Sequence, residues 1–173
     1  MSEKENEHEH RLLHAYERML DRVKESMAAA EDRVPALRDA LERVKQRAVE
    51  LEEVTREEAE RIGDYLRRDV EEAGAWLADR DPGHDLRDWL QMDLQMVESW
   101  LWDALSSVAD QTKLELQGFT TTGEPSIYHT GEIAAPGTLV CLSCGRSITL
   151  HKVGHIPPCP GCYHTEYVRG PRA

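Results

Sequence analysis

CLSCGRSITLHKVGHIPPCPGC, residues 141–162, holds every cysteine of the chain, as two pairs with two residues inside each pair. Cys141-Leu-Ser-Cys144 and Cys159-Pro-Gly-Cys162 have the spacing of zinc knuckles. Two intervening residues let the backbone curl so that both sulfurs reach one ion, and amide N–H groups of the turn can donate to the thiolates. Gly145 suits the left-handed conformation that often closes such a turn, whereas Tyr163 stands at the equivalent position of the second pair. Fourteen residues separate the pairs, room for two short strands and a turn. The doubled spacing predicts one tetrahedral Zn²⁺ per chain held by Cys141, Cys144, Cys159 and Cys162, with rubredoxin-like iron as the alternative metal. Four thiolates close the coordination shell and leave no position for a substrate, which points to a structural ion.

The residues around the pairs explain why an ion is needed. Few large apolar side chains occur after residue 120, and a unit this small rarely holds itself together without a staple. Structural zinc contributes about 10–16 kcal/mol of apparent binding energy that becomes folding energy. Strands are expected near 138–142, 147–151 and 164–168, with the knuckles as loops.

Punctuation residues divide the 173-residue chain. Two prolines and three glycines precede Gly118, and six prolines and eight glycines follow from it onward, so only the first part can run as long helices. The predicted organisation is a disordered opening at 1–9, an acidic helical region over 10–117, a linker with the first ribbon strands over 118–136, the zinc ribbon over 137–168 and a disordered tail at 169–173.

Four helical segments are expected in the first part. Residues 10–31 carry a stripe of Leu13, Tyr16, Leu20, Val23 and Met27 at spacings of three and four. Residues 35–53 open on Pro35 and carry Leu37, Leu41, Val44, Ala48 and Leu51. Thr55-Arg-Glu-Glu58 has the form of a capping box and starts a segment with Ile62, Leu66, Val70, Ala73 and Leu77. Asp81-Pro82-Gly83 makes a turn into a last helix over about 84–117, which would reach about 50 Å at ~1.5 Å per residue. Each seam is too thin to bury alone, so the helices pack on each other or on another chain. The fold class expected is mainly α: an elongated helical bundle or coiled-coil hairpin followed by a small β zinc ribbon.

Charge narrows the partners. The net charge is -12, and 31% of residues are charged. Arg146, Lys152, Arg169 and Arg172 against Glu124, Glu132 and Glu166 give residues 121–173 a balance of +1, which leaves −13 on the first 120 residues. Such a surface repels phosphate backbones, so direct nucleic-acid contact is not expected. No apolar run long enough for a membrane span and no secretory h-region occur, which predicts a cytoplasmic protein whose thiols stay reduced.

The sequence resembles the YbeL-like family, bacterial zinc-ribbon-containing proteins of unknown function. The resemblance is carried by LWDAL (101–105), Asp110, Thr112, Leu114 and Glu115, then YHTGE (128–132), GTLVCLSCG (137–145) and CPGC (159–162). It implies a helical region plus a four-cysteine ribbon and supplies no catalytic residue.

Other candidate sites have plainer readings. His10 and His14, four apart and near His8, are expected to be solvated rather than to share a metal. His129, His151, His155 and His164 belong to the ribbon, and the four cysteines already fill the shell that His155 or His164 might otherwise complete. Trp89, Met92, Met96 and Trp100 form a second stripe that reads as helix–helix core. Asp79-Arg-Asp81-Pro-Gly-His-Asp85 reads as a solvated turn, although its acidic tip suggests by analogy the factors that enter the RNA polymerase secondary channel. Glu-rich runs such as Glu50 to Glu53 read as helix surface. No catalytic constellation is present, so the expectation is a non-enzymatic zinc-binding protein whose helices associate with a protein partner or with a second copy. A transcription- or translation-associated factor binding RNA polymerase or the ribosome is one alternative, and a thiol redox sensor is another.

Overall fold

The computed structural model of the protein describes residues 3–28, 37–78 and 126–170. Among the described residues three helices, α1 (Glu3–Ala28), α2 (Leu37–Glu50) and α3 (Arg56–Ala78), precede six short strands, all antiparallel. The expected fourth helix with its tryptophan–methionine stripe, the turn at Asp81 to Gly83 and the stretch up to Pro125 lie outside the described residues. So does a long hairpin built on that turn.

The helices bury most of the stripes their spacing predicts, the side chains of Met27, Ala73 and Leu77 lying outside the described ones. Tyr16, Leu20 and Val23 of α1, Leu37, Leu41, Val44 and Ala48 of α2, and Ile62, Leu66 and Val70 of α3 are all buried in one core. Leu13 packs only partly against it. Helix α1 starts at Glu3, not at residue 10. Glutamates and lysine are good helix formers, and acidic residue types at a helix start suit the macrodipole, so the polar opening extends the helix instead of leaving it.

Helix α2 stops three residues earlier than expected. Glu53 N–H donates to Ala48 O at 3.1 Å and Glu52 N–H to Val49 O at 3.0 Å, with Glu52 left-handed at φ 54. This is a Schellman end without its usual glycine, which is why the sequence did not announce it. Leu51, counted with the α2 stripe, therefore falls in the turn and is 44% exposed. The next helix begins where the capping box predicts. Thr55 N–H donates to Glu58 Oε2 at 2.8 Å, and Glu58 N–H reaches back to Thr55 Oγ1 at 3.3 Å. Val54 before the cap and Ala59 in the first turn are both buried, the placement of a hydrophobic staple. Arg22 of α1 holds Glu53 with two bonds of 2.8 Å, and Arg11 holds Glu58 at 2.8 Å, so α1 clamps both ends of the α2–α3 corner.

The ribbon has a four-stranded sheet in the order β1-β6-β3-β4 and a two-stranded one of β2 and β5. Strand β3 (Gly137–Cys141) pairs with β4 (Ser147–Leu150) across the first knuckle, with Val140 opposite Ser147. On its other side β3 pairs with β6 (Glu166–Arg169), Cys141 opposite Tyr167 and Leu139 opposite Arg169. The short strands β1 (Tyr128–His129), β2 (Ile133–Ala134) and β5 (Gly154–His155) complete the unit.

Two expectations about the C-terminal part need correction. The tail does not begin at residue 169: Arg169 is a β6 residue, only 7% exposed, and Gly170 N–H donates to Thr138 O at 2.7 Å. The ribbon also does not depend on its own apolar residues alone. Tyr128, Leu139, Ile156 and Tyr167 form a small core with Cys141 and Cys159, whereas Ile133, Ala135 and Val153 are buried in the helical core.

Candidate metal centre

Both knuckles fold into the same hydrogen-bonded turn. Cys141 N–H donates to Arg146 O at 2.9 Å, and Gly145 N–H donates back to Cys141 O at 3.0 Å. Eighteen residues on, Cys159 N–H donates to His164 O at 3.0 Å, and Tyr163 N–H to Cys159 O at 2.9 Å. The residue after the second cysteine is left-handed in each, Gly145 at φ 71 and Tyr163 at φ 59. Tyrosine tolerates that conformation poorly, so the second turn is imposed by its surroundings rather than chosen by its sequence. Gly161 N–H points at Cys159 Sγ from 3.5 Å, the amide-to-sulfur contact the spacing predicts. The Arg146 side chain lies against this knuckle, because a Cβ on Gly161 would come within 2.8 Å of its Nε.

The turns bring four sulfurs to one point. All four Sγ atoms lie within 4.8 Å of one another, and Cys141–Cys162 and Cys144–Cys159 are each 3.6 Å apart. Zn–S bonds of about 2.3 Å give a tetrahedron whose edges are about 3.8 Å, so the donor set and its size fit tetrahedral zinc. Cys141 and Cys159 are buried in the ribbon's small core, and Cys144 and Cys162 are exposed. Hydrogen bonding from the Gly161 amide pulls the Cys159 thiol down to about 6. Cys144 has the Arg146 amide favouring its thiolate, but sharing a proton with Cys162 and the other sulfurs pushes it up to about 11. A divalent cation bound there would be held by all four sulfurs as thiolates, for a local charge of −2.

The histidines take places outside the cluster. His155 Nδ1 lies 2.9 Å from Gly131 O, and His164 Nε2 lies 3.3 Å from Glu166 Oε2. His10 and His14 have ring centroids 4.9 Å apart, with His14 bonded to Glu17 at 3.2 Å. Among the described residues the four cysteines are the one group of three or more His, Cys, Asp or Glu side chains placed to hold a common ion.

A second constellation, which sequence reasoning did not find, joins the ribbon to the helices. Asp69 of α3 is fully buried. Its Oδ2 accepts from Tyr16 Oη at 2.6 Å and from Ala135 N–H at 2.8 Å, while Oδ1 accepts from Arg169 Nη2 at 3.4 Å. Tyr128 Oη donates to Glu72 Oε2 at 2.6 Å, lies 3.0 Å from Asp69 Oδ1 and accepts from Arg169 Nη2 at 3.3 Å. Arg68 stacks over the Tyr128 ring at 3.8 Å and bonds Glu132, which also accepts from His129 N–H at 3.0 Å. Burial foremost, with the Asp69 carboxylate adding to it, raises the Tyr16 and Tyr128 phenols well above their ordinary range, so both remain donors. The YHTGE stretch thus supplies Tyr128 to the buried carboxylates and Glu132 to Arg68, turning at Gly131 with φ 88. One sequence signal was available: Asp69 interrupts the apolar arc of α3, three residues after Leu66 and next to Val70.

Among the described residues no helix is long and apolar enough to cross a membrane. A family described as a zinc-ribbon containing domain matches residues 24–171. The Uncharacterized protein YbeL of Escherichia coli strain K12 is 26% identical over 157 residues, which cover 90% of this chain and 94% of that protein. The YbeL proteins of Escherichia coli O6:H1 and O157:H7 match over the same shares at the same identity. No solved structure matches. With that family match over most of its length, the chain belongs to the YbeL-like family of zinc-ribbon proteins.

Proposed function

We propose that the protein is a cytoplasmic, non-enzymatic adaptor that holds one structural zinc per chain. Its acidic helices mediate association with a protein partner or a second copy, and its ribbon serves as a recognition module. The convergence of four sulfurs on one point carries this reading. A tetrahedral ion with four protein thiolates has no open position for water or substrate, in contrast to catalytic zinc, which keeps one. The helical surface supports the protein-binding role: exposed acidic and basic side chains alternate there, as in Arg67 with Asp64 and Glu71, and such a surface offers little to a phosphate backbone.

Metal analysis of the purified chain is expected to give one zinc per protein. Proteins captured from bacterial cells by intact chain and by Cys144→Ser are the functional test, because the substitution removes one ligand at the outward face. The partners of the ribbon are those lost with the substitution. An unchanged set of partners, from a variant shown to have lost its zinc, would refute the recognition role.

A further inference from the structure

We infer that the Asp69 junction links zinc occupancy of the ribbon to the packing of α1 against α3, so that losing the ion loosens the helices. The inference rests on the zinc-binding reading above and adds that the helical region responds to the metal.

The path is short and continuous. Cys141 lies opposite Tyr167 in the β3–β6 ladder, and β1 pairs on the other side of β6, with Tyr128 also opposite Tyr167. Tyr167 Oη donates to Pro157 O at 2.9 Å, two residues before Cys159. The strands that border the sulfur cluster therefore present Tyr128 and Arg169, and the turn after β2 presents the Ala135 amide. These three groups converge on Asp69. On the helical side, Tyr16 of α1 donates to the same carboxylate.

Asp69, on α3, thus bonds groups from both α1 and the ribbon. With all three in place it is fully buried. The same seam holds Ile133, Ala135 and Val153, ribbon residues that complete the helical core. A ribbon core of a few buried side chains needs its ion to hold these strands together. Without it, Arg169, Tyr128 and the Ala135 amide leave Asp69, water reaches the carboxylate, and the contact through Tyr16 weakens. Linkage is reciprocal, so weakening the helical side must also weaken zinc binding.

Two measurements on the full chain test the link. In the first, hydrogen exchange of the segments around Tyr16 and Asp69 is compared in zinc-loaded protein and after chelation, with metal content measured in both samples. Exchange should become faster by about tenfold or more once zinc is gone. In the second, zinc affinity is measured by chelator competition for Tyr16→Phe, which deletes a hydroxyl on α1 that bonds Asp69. It should fall by about fivefold or more. Met19→Leu, a buried change on the same helix, should leave it within about twofold. Helices whose exchange is unchanged after verified zinc loss, or a Tyr16→Phe variant with wild-type affinity, would overturn the link and leave zinc binding intact. A chain that never carries zinc overturns both.

Discussion

Replacing Asp69 with alanine should destabilise the fold strongly for a single polar side chain. The carboxylate is fully buried and accepts from Tyr16, Ala135 and Arg169. Its removal leaves Arg169, itself buried, beside Tyr128 and Glu72 with one of its two buried carboxylate neighbours gone. Breaking a buried pair from one side costs about 3–5 kcal/mol. The Ala135 amide, a buried donor, loses its acceptor as well, and such a loss costs about 1–3 kcal/mol. The two losses share a site and overlap, so a total of about 4 kcal/mol is expected. In a chain of this size each kcal/mol moves the melting temperature by about 2–4 °C, which gives a drop of about 8–16 °C. The assay is urea and thermal denaturation with zinc in excess, so that metal loss does not enter the comparison. Asp64→Ala, on the same helix but 66% exposed and facing Arg67 at 3.4 Å, should change stability by less than about 1 kcal/mol. A loss below about 1 kcal/mol for Asp69→Ala would show that water already reaches the carboxylate, and the junction would have to be abandoned.

Three smaller effects follow from individual contacts. Thr55→Ala removes the cap hydroxyl and should cost about 1 kcal/mol in urea unfolding, while Thr55→Ser should cost little; equal losses would show that the box does not act through its oxygen. Tyr163→Gly relieves a left-handed tyrosine that is 81% exposed, and should raise stability by about 0.5 kcal/mol after allowing for the flexibility glycine adds to the unfolded chain. A clear loss there would assign the ring a packing role. The paired bonds from Arg22 hold the Glu53 carboxyl below its ordinary value. Its contribution is therefore complete above the unfolded value of about 4.3 and disappears as the pH falls through the lower folded value. Arg22→Gln should flatten the stability profile in that window, and a profile identical to wild type would show that the clamp is not formed in solution.

How much was legible in the sequence depended on how local the cause was. The thiolate cluster was, because two residues between cysteines fix a turn whatever the rest of the chain does. The cap at Thr55 was as well, since a capping box is complete within four residues. Helix stripes gave the buried faces of α1, α2 and α3, because period 3.6 is a property of one segment. The end of α2 was missed because a glutamate, Glu52, takes the left-handed position where glycine is the usual signal. Arg169 was assigned to a tail because its carboxylate partner is 100 residues away in sequence. Asp69 was hidden for the same reason: what makes a buried carboxylate tolerable is a set of donors from three separate elements, and no window of sequence contains them. The helical face that receives Ile133, Ala135 and Val153 was equally invisible, since these residues look like the ribbon's own core until the helices are placed beside them.

The most direct test of the metal centre is X-ray absorption at the zinc edge on the purified full-length chain, with metal content measured on the same sample. One zinc per chain is expected, surrounded by four sulfurs at about 2.3 Å, with no nitrogen or oxygen neighbour at bonding distance. A folded chain with no bound metal, or zinc held by fewer than four sulfurs, would contradict the central claim that Cys141, Cys144, Cys159 and Cys162 close around one ion.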